Sequence, residues 1–217
     1  MPAREIETVH QRDELAQVRE ARDQQLAKNP NTGAGPELGL VFADEYIRVF
    51  RDPVKFPSGK FGTYLRIEER AIQNGVVGVV ALPMLGERIF LHRIFRYPTR
   101  SWEWELPRGF LEPGHSPQEM VQRELAAETG LSAERVEELG FVFSNTGLLA
   151  GGAKVFLVQV KEVSGRPAPE EGEVIGELAA ISPTKLWSMA RHGEIRDGFT
   201  LSAMSLAVSK QLLPPPG

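Results

Sequence analysis

The sequence predicts an α+β fold, arranged as an α/β/α sandwich around a mixed central sheet, with a helical segment at the N-terminus. Short apolar or alternating segments, separated by Gly, Pro and Asn turns, recur from about residue 46 onward and are typical of strands. Helix-like segments with capping residues occur between and after them. Helices and strands that are mixed along one chain favour a layered arrangement around a sheet.

The chain is expected to consist of two parts, an N-terminal helix with its linker at 1–40 and a larger domain at 41–217. Residues 3–28 are highly charged and carry a thin apolar stripe, which predicts a helix packed on the domain or on a partner subunit. A partly mobile, solvated helix is an equal alternative. Residues 29–39 are dense in Asn, Gly and Pro, so we expect a linker or loop there.

The strands follow one another between turn signals. A turn region rich in Pro is expected at 52–59, and a polar loop at 165–172. The segment at 76–83 is apolar on both faces, as in a buried strand. The predicted strands are 46–51, 60–68, 76–83, 88–95, 101–106, 136–144, 153–163 and 174–181. Two closing helices are expected at 183–191 and 201–212.

The helix before the strand at 136–144 has the clearest boundaries in the sequence. Ser116 is a suitable N-cap, a Pro follows at the first helical position, and Glu119 completes a capping box. Gly130 is placed to end the helix after about three turns. The residues before Ser116 contain three Gly or Pro breakers, so we expect a loop that starts at Gly109.

Two carboxylates on this helix are candidate metal ligands. Val121 and Leu125 define its apolar edge, and Glu124 and Glu128, four residues apart, lie one above the other beside that edge. Stacked carboxylates that lean toward the protein repel each other unless a cation lies between them, and Mg²⁺ or Mn²⁺ would fit. The alternative is an ordinary solvated face, with Glu124 paired to Arg123 or its neighbours.

Composition excludes several classes of function. The net charge of −4 gives no general attraction to nucleic acid or to an anionic membrane, so we expect neither as a partner. No apolar run approaches the roughly 20 residues that span a bilayer, and the N-terminus does not resemble a signal peptide. The absence of Cys excludes disulfides, thiol nucleophiles and thiolate metal sites, and it fits a cytoplasmic location.

The stretch 109–131 resembles the Nudix box, Gly-x5-Glu-x7-Arg-Glu-U-x-Glu-Glu-x-Gly-U, where U is a bulky aliphatic residue. His115 and Ala127 stand where the box has Glu. The positions that match at the required spacing are Gly109, Arg123, Glu124, Leu125, Glu128, Gly130 and Leu131. On this motif the sequence is identified as a member of the Nudix hydrolase superfamily.

The similarity extends from about residue 46 to 207 and resembles the ADP-ribose pyrophosphatase-like subfamily. It is carried by residues 49–60, by Phe-Arg-Tyr-Pro at 95–98 with Trp-Glu-Leu-Pro-Arg-Gly at 104–109, and by 193–201. The resemblance implies a homodimer formed through the N-terminal part. Residues 144–152 lack a Pro that is usual in the subfamily, and Arg108 replaces a small residue, so both ADP-ribose and other nucleotide sugars stay open as substrates.

The resemblance also implies the metal ligands. Glu124, Glu128 and the backbone carbonyl of Arg108 would hold Mg²⁺ (or Mn²⁺), and Glu112 would be a further metal-site carboxylate in the outer shell. For Glu112, a solvated loop residue is the alternative. His115 either forms a hydrogen bond across the loop or binds a transition metal through its imidazole.

The remaining site residues follow from the same resemblance. Glu124, Glu128 and Arg123 are the expected catalytic residues of the box. A Glu in a later loop would act as the general base, and among Glu170, Glu171 and Glu173 we favour Glu173.

Two further residues are expected to bind the substrate, Arg96 and Glu105. A guanidinium group reads phosphate through two hydrogen bonds, which suits Arg96 to that role. The alternative for Arg96 is a surface ion pair with Glu103 or Glu105.

The function expected from these residues is metal-dependent cleavage, by water, of the pyrophosphate in a small-molecule nucleoside diphosphate derivative, either ADP-ribose-like or a nucleotide sugar. The alternative is a catalytically weak or inactive Nudix domain that binds a nucleotide ligand as a sensor, because His115 and Ala127 replace two box carboxylates. Retention of Glu124, Glu128 and Arg123 favours the enzyme.

Overall fold

The computed structural model describes residues 5–28, 38–163, 165–168 and 173–216. The chain forms two compact units. The first consists of Met1–Arg70 together with Asn145–Ala150, and the second of Ala71–Ser144 and Gly151–Gly217. The division of the chain at about residue 40 stays a prediction.

The first unit is built on a four-stranded antiparallel sheet with one helix. Strand β3 is central, since β4 pairs along one of its edges and both β1 and β2 pair along the other. The elements are β1 (Glu7–Thr8), α1 (Arg12–Lys28), β2 (Gly39–Ala43), β3 (Ile47–Lys55) and β4 (Phe61–Glu69). The N-terminal helix was expected from residue 3, but it begins at Arg12, because residues 7 and 8 pair with β3 instead.

The turn expected at 52–59 is wrong for its first half, because β3 continues through Pro53. The N–H of Phe56 donates to the carbonyl of Lys60, so alternate residues of β3 bond to β4 and Pro53 faces the other way. On that side its carbonyl accepts a hydrogen bond from the N–H of Val9. Pro53 therefore sits where the ladder with β4 needs no N–H donor.

The second unit contains a seven-stranded mixed sheet in the order β11-β6-β5-β10-β9, with β7 paired to β6 and β8 paired to β5. Strands β5 and β10 are parallel, and the other pairs are antiparallel. The strands are β5 (Val76–Leu85), β6 (Arg88–Arg96), β7 (Ser101–Glu105), β8 (Arg108–Phe110), β9 (Leu131–Phe143), β10 (Gly152–Val163) and β11 (Ile175–Ile181). The helices are α2 (Pro117–Thr129), α3 (Pro183–Arg191) and α4 (Gly198–Ser209).

Helices cover both faces of this sheet, so the predicted α/β/α layering is confirmed. On one face α2 packs on alternate strand residues, a cluster that includes Met120, Val121, Leu125, Val79, Ala81, Phe156 and Val158. On the other face α3 and α4 pack on the intervening residues, a cluster that includes Leu186, Met189, Met204, Val80, Leu82, Leu91 and Val155. Burial of this apolar surface is the main term that holds the layers together.

Several element boundaries in this unit differ from the sequence prediction by one to five residues, and three of them lie near helix α2 or at the start of α4. Residues 108–110 form β8, where a loop was expected from Gly109, because they pair with β5. Strand β9 begins at Leu131 instead of residue 136, directly after the helix cap. Helix α4 begins at Gly198 instead of residue 201, because Asp197 caps it by accepting from the N–H of Thr200 at 2.8 Å.

Within the described ranges, the chain has no helix of the length and apolar character needed to cross a membrane.

Candidate active site

Helix α2 carries the site, and its predicted caps are confirmed. The Ser116 hydroxyl accepts from the N–H of Glu119 at 3.3 Å, and the Glu119 carboxylate accepts from the N–H of Ser116 at 2.7 Å. At the other end Gly130 adopts a left-handed φ of 71° and its N–H donates to the carbonyl of Ala126. These caps fix the start and end of the helix and thereby the direction of its carboxylates.

Glu128 lies on the last turn of α2 and is 1% exposed. Its Oε2 accepts from the N–H of Arg108 at 3.0 Å, whereas its Oε1 has no hydrogen-bond partner among the described residues. Burial, and then the nearby charge of Glu173, raises the pKa of Glu128 to about 9, while the hydrogen bond from Arg108 acts in the opposite direction. A buried carboxylate with an unpaired oxygen is an unfavourable arrangement that a nearby cation would stabilise.

Glu124 lies one turn earlier and packs on the strand before the loop. A Cβ atom added to Gly109 would lie 2.1 Å from the Glu124 carboxyl carbon, far inside van der Waals contact. Gly109 therefore has to lack a side chain for Glu124 to approach β8. The charge of Glu124 also raises the pKa of Glu128, so the two predicted metal ligands lie close together.

Arg108 connects β8 to Glu128 through its backbone. The carbonyl of the preceding Pro107 accepts from the N–H of Ala81 in β5, at 2.8 Å. Because the C=O and the N–H of one trans peptide group point in opposite directions, the N–H of Arg108 faces away from β5 and reaches Glu128. The role of the Arg108 carbonyl as a metal ligand stays a prediction.

The side chains of Arg96 and Arg108 both bind Glu105, which is 1% exposed. Arg96 Nη2 lies 2.6 Å and Arg108 Nε 3.1 Å from Glu105 Oε2. Arg108 also contacts Asp197 at 3.4 Å, and its guanidinium lies 5.1 Å from the ring centroid of Phe199. The positive charges of these arginines are thus matched by two carboxylates in the same cluster.

The alternative interpretation of Arg96, an ion pair with Glu105, is present in the structure, but Glu105 is buried and not a surface residue. Glu103, the other proposed partner of Arg96, is bound by Arg196, whose Nε lies 3.1 Å from Glu103 Oε2. Substrate binding by Arg96 and Glu105 stays a prediction.

Arg123 of α2 forms a separate, largely exposed group with Glu112 and His115 of the loop before the helix. Arg123 Nη1 lies 2.7 Å from Glu112 Oε2 and 3.3 Å from His115 Nε2. His115 therefore takes part in contacts across the loop, which was one of its two expected roles. Glu112 has a side chain that is 44% exposed and pairs with Arg123. Its role at a metal site, and the catalytic role of Arg123, stay predictions.

Glu173 is the one member of the predicted acidic loop that the structure describes, since Glu170 and Glu171 lie outside the described residues. Its charge raises the pKa of Glu128, so it is near the site. The chain before it is attached to α2 by two backbone hydrogen bonds, from Gly165 N–H to the Gly130 carbonyl at 3.0 Å and from Ala168 N–H to the Ala127 carbonyl at 2.7 Å.

His92, which no sequence pattern indicated, lies in β6 and is fully buried. Its Nδ1 is 3.9 Å from Glu128 Oε2, and neither ring nitrogen has a hydrogen-bond partner among the described residues. Burial, and then the charges of Arg96 and Arg108, lowers the pKa of His92 to about 4, so the ring is neutral at neutral pH. The sequence around a His in an apolar strand does not show which distant residues contact that His in the fold.

The described residues contain no group of three or more His, Asp or Glu side chains arranged to hold a metal ion. Glu128 and Glu124 nevertheless supply carboxylate oxygens, the ligands that Mg²⁺ and Mn²⁺ prefer. Catalytic Mg²⁺ is commonly held by one or two carboxylates, with water and substrate phosphate as the other ligands. The donor set therefore fits a divalent cation.

Comparison with known proteins shows the family of the chain. A family model for the NUDIX domain matches residues 74–200, more than half of the chain. The ADP-ribose pyrophosphatase of Bacillus subtilis (strain 168) is 24% identical over 173 residues, which cover 80% of this chain and 91% of that protein. The ADP-sugar pyrophosphatase of Mus musculus is 28% identical over 160 residues, which cover 66% of this chain and 73% of that protein.

The crystal structure of a protein described as an ADP compounds hydrolase has the same fold. It superimposes with a TM-score of 0.68 at 19% sequence identity and covers 81% of this chain and 91% of its own. The α+β Nudix fold expected from the sequence is thus confirmed. Because the family model covers more than half of the chain, the chain belongs to the NUDIX domain family, and in sequence it is similar to ADP-ribose and ADP-sugar pyrophosphatases, as expected from the box on α2.

Proposed function

We propose that this chain is a metal-dependent Nudix hydrolase that cleaves the pyrophosphate of an ADP-ribose-like compound or a nucleotide sugar by attack of water. The observation that carries the proposal is the buried carboxylate of Glu128, which lies beside Glu124 and Glu173 and has one oxygen without a partner among the described residues. The names of the related enzymes support a substrate that contains an ADP group.

Glu124, Glu128 and the carbonyl of Arg108 would hold the metal ion, which we propose to be Mg²⁺ or Mn²⁺. When bound, a divalent ion supplies positive charge to the phosphate oxygens and lowers the pKa of water. Ala127 cannot bind metal through its side chain, so this site would offer one carboxylate fewer than the full box. We therefore expect weaker metal binding than a complete box would give.

The protein side chains would divide the remaining work between them. Glu173 would accept a proton from the water that attacks phosphorus, and the P–O bond of the bridging oxygen would break to give two phosphate monoesters. Arg96 would hold a phosphate oxygen, with its guanidinium oriented by the buried Glu105. Arg123 would orient the loop before α2 through Glu112 and His115.

The experiment that tests the proposal is a product-release assay with Mg²⁺ or Mn²⁺ against ADP-ribose and a panel of nucleotide sugars. We expect turnover by the natural sequence and a loss of roughly hundredfold to thousandfold in kcat for Glu128→Gln. Glu134→Gln, at an exposed position of β9, is the matched control and should keep full activity.

The same assay decides against the sensor interpretation or in its favour. Turnover that depends on Glu128 is what a hydrolase requires. If no compound of the panel is cleaved with either metal, and Glu128→Gln binds nucleotide as well as the natural sequence, the chain is a binding module.

A further inference from the structure

The chain passes from one neighbouring strand to another at a crossover formed by residues 106 and 107. Strand β7 pairs with β6 as far as Glu105, and β8 pairs with β5 from Arg108 onward. Leu106 is 1% exposed, so its N–H needs a partner within the protein. The hydroxyl of Thr200, in the first turn of α4, accepts from this N–H at 3.0 Å. A side chain of α4 therefore holds the crossover where the chain leaves β6.

The crossover is bonded through its backbone to further elements on both sides of Pro107. The Pro107 carbonyl accepts from the N–H of Ala81 in β5 at 2.8 Å. The next N–H, that of Arg108, donates to Glu128 Oε2 at 3.0 Å. Helices α4 and α2 pack on opposite faces of the sheet. The crossover therefore connects a helix on one face to the Glu128 carboxylate on the other, and a displacement of the crossover would move the donor that orients Glu128.

The Thr200 hydroxyl makes two hydrogen bonds at once. It accepts from the Leu106 N–H and donates to Asp197 Oδ2 at 2.8 Å. Since an N–H only donates and a carboxylate only accepts, both bonds need a hydroxyl group between them. Oδ1 of the same Asp197 lies 3.4 Å from Arg108 Nη2, so Thr200 is connected to the side chain of Arg108 as well as to its backbone. Thr200 is fully buried, and loss of its hydroxyl would leave the Leu106 N–H unpaired.

We propose that Thr200 is a positioning residue for the hydrolysis, because it holds the crossover in the place from which the Arg108 N–H orients Glu128. The inference rests on the proposed function, in which Glu128 is a metal ligand. Thr200 acts through two hydrogen bonds of the crossover and not on the substrate. A misplacement of about 1 Å near the reacting groups can cost about hundredfold in rate, so a buried hydroxyl at this distance can control turnover.

Kinetics of two substitutions at Thr200 test the role of the hydroxyl. The substrate is ADP-ribose, or the best-cleaved nucleotide sugar of the panel if ADP-ribose is not cleaved. Thr200→Val keeps the shape of the side chain, and at saturating Mn²⁺ we expect kcat to fall about tenfold to hundredfold. KM should change by less than about threefold, since the hydroxyl does not bind substrate. Thr200→Ser retains the hydroxyl and should recover most of the lost kcat, although it removes a buried methyl group.

Ser205→Ala is the matched control on the same helix. The Ser205 hydroxyl donates to the carbonyl of Leu201 in α4 at 3.0 Å, so its removal leaves the crossover unchanged and should leave kcat unchanged. Rates are divided by the folded fraction from circular dichroism, which separates a positioning effect from a loss of folded protein.

Amide hydrogen exchange in the metal-free protein gives a readout that does not depend on turnover. In Thr200→Val we expect the amides of Leu106 and Arg108 to exchange at least about tenfold faster, as measured by NMR. The Leu111 N–H, which donates to the Val77 carbonyl at 2.9 Å just after β8, should keep its protection. A general loss of stability would instead speed the exchange of all three amides alike.

The two proposals fail in different ways. If Thr200→Val keeps the kcat of the natural sequence, or if Thr200→Ser loses as much kcat as Thr200→Val, the positioning role is wrong and the proposed hydrolase stands. Unchanged exchange of the Arg108 amide in Thr200→Val would also overturn it, because the crossover would then not depend on the hydroxyl. If the natural sequence cleaves no compound of the panel, the proposed function fails and the positioning role fails with it.

Discussion

The carboxyl group of Glu128 links the stability of the metal-free protein to pH. Its pKa is about 9 in the folded chain against 4.5 for an ordinary Glu, so the folded state binds more protons than the unfolded state between these values. The free energy of unfolding should therefore fall as the pH rises from about 4.5 to about 9. The pKa of His92 is lowered from 6.5 to about 4, so this residue changes the pH dependence of the free energy of unfolding only below pH 6.5.

Between pH 6.5 and 9 we therefore expect a decline in stability that is due to Glu128 and is absent in Glu128→Gln. Urea unfolding at several pH values, with chelator present, measures it. Glu134→Gln, which changes an exposed carboxylate, should keep the decline. Parallel pH profiles for the natural sequence and Glu128→Gln would show that Glu128 has an ordinary pKa.

Gly109 offers a way to displace a carboxylate without changing it. A methyl group at this position would collide with the Glu124 carboxyl group, so we expect Gly109→Ala to reduce kcat by about hundredfold, the cost of a misplacement of about 1 Å. Gly198→Ala, where a Cβ meets nothing within 4 Å, is the control. Equal activity of the two variants would mean that the position of Glu124 does not matter for turnover.

The sequence could place Glu124 beside Glu128, because helix geometry fixes the relation of residues four apart. It could not place His92 beside Glu128, because that contact depends on the packing of α2 on β6, 36 positions earlier in the chain. The same holds for Arg108, whose partners Asp197 and Phe199 lie in and before α4. Local patterns predict local neighbours, and the site consists largely of distant ones.

Helix α2 depends on its N-cap for its first turn. Ser116→Ala removes the hydroxyl that accepts from the N–H of Glu119 and should destabilise the protein by about 1 kcal/mol. Urea denaturation measures the loss. Ser205→Ala, on the exposed face of α4, removes a hydroxyl that caps no helix and should change stability by less than about 0.5 kcal/mol. Equal effects for both would show that the cap contributes nothing.

Ala127, in the last turn of α2, allows a test of the effect of the carboxylate that the box lacks there. Ala127→Glu restores a carboxylate and should strengthen metal binding and raise kcat, by about tenfold or more if the added group reaches the ion. The Ala127 backbone is bound to Ala168 through its carbonyl, which the substitution leaves in place. Calorimetric titration with Mn²⁺ measures the affinity, and Ala126→Glu, on the exposed side of the same turn, is the control. An unchanged affinity would contradict a depleted site.

Strand boundaries were the least predictable part of the elements. Pro53 and Gly109 are turn formers in sequence, yet both lie within strands because their neighbours supply the hydrogen bonds. The caps of α2, by contrast, are local devices, and Ser116, Glu119 and Gly130 behave as their sequence indicates. The end of a helix or strand is predictable where residues close in sequence make its hydrogen bonds. It is much less predictable where a distant strand makes them.

Metal binding should stabilise the whole second unit, because the ligands come from elements that are distant in sequence. At a Mn²⁺ concentration about a hundredfold above its dissociation constant, we expect a gain of about 2.7 kcal/mol and a higher Tm. Glu128→Gln should show no such gain. Calorimetric scans with Mn²⁺ or with chelator measure the difference, and NaCl at the same ionic strength is the control.

The layered fold of the second unit was predictable from the alternation of its strands and helices. The make-up of the first unit was not, because it takes in Asn145–Ala150 from far along the chain. The N–H of Ile67 donates to the carbonyl of Leu148, and the N–H of Ala150 donates to Ile67 in return. No local sequence pattern indicates that residues 145–150 come back to the first unit.

The homodimer also stays a prediction, which light scattering in solution would test.

The two backbone bonds that attach the chain to α2 at Gly130 and Ala127 make the proposed base-bearing loop a replaceable part. On the far side, the Val174 carbonyl accepts from the N–H of Phe95 at 3.0 Å, so the chain is anchored again directly after Glu173. The described chain on both sides of residues 169–172 is therefore held by hydrogen bonds between main-chain atoms, which do not depend on the identity of the side chains. Loops from related enzymes could be grafted there to redesign the choice of substrate while α2 and its carboxylates are retained.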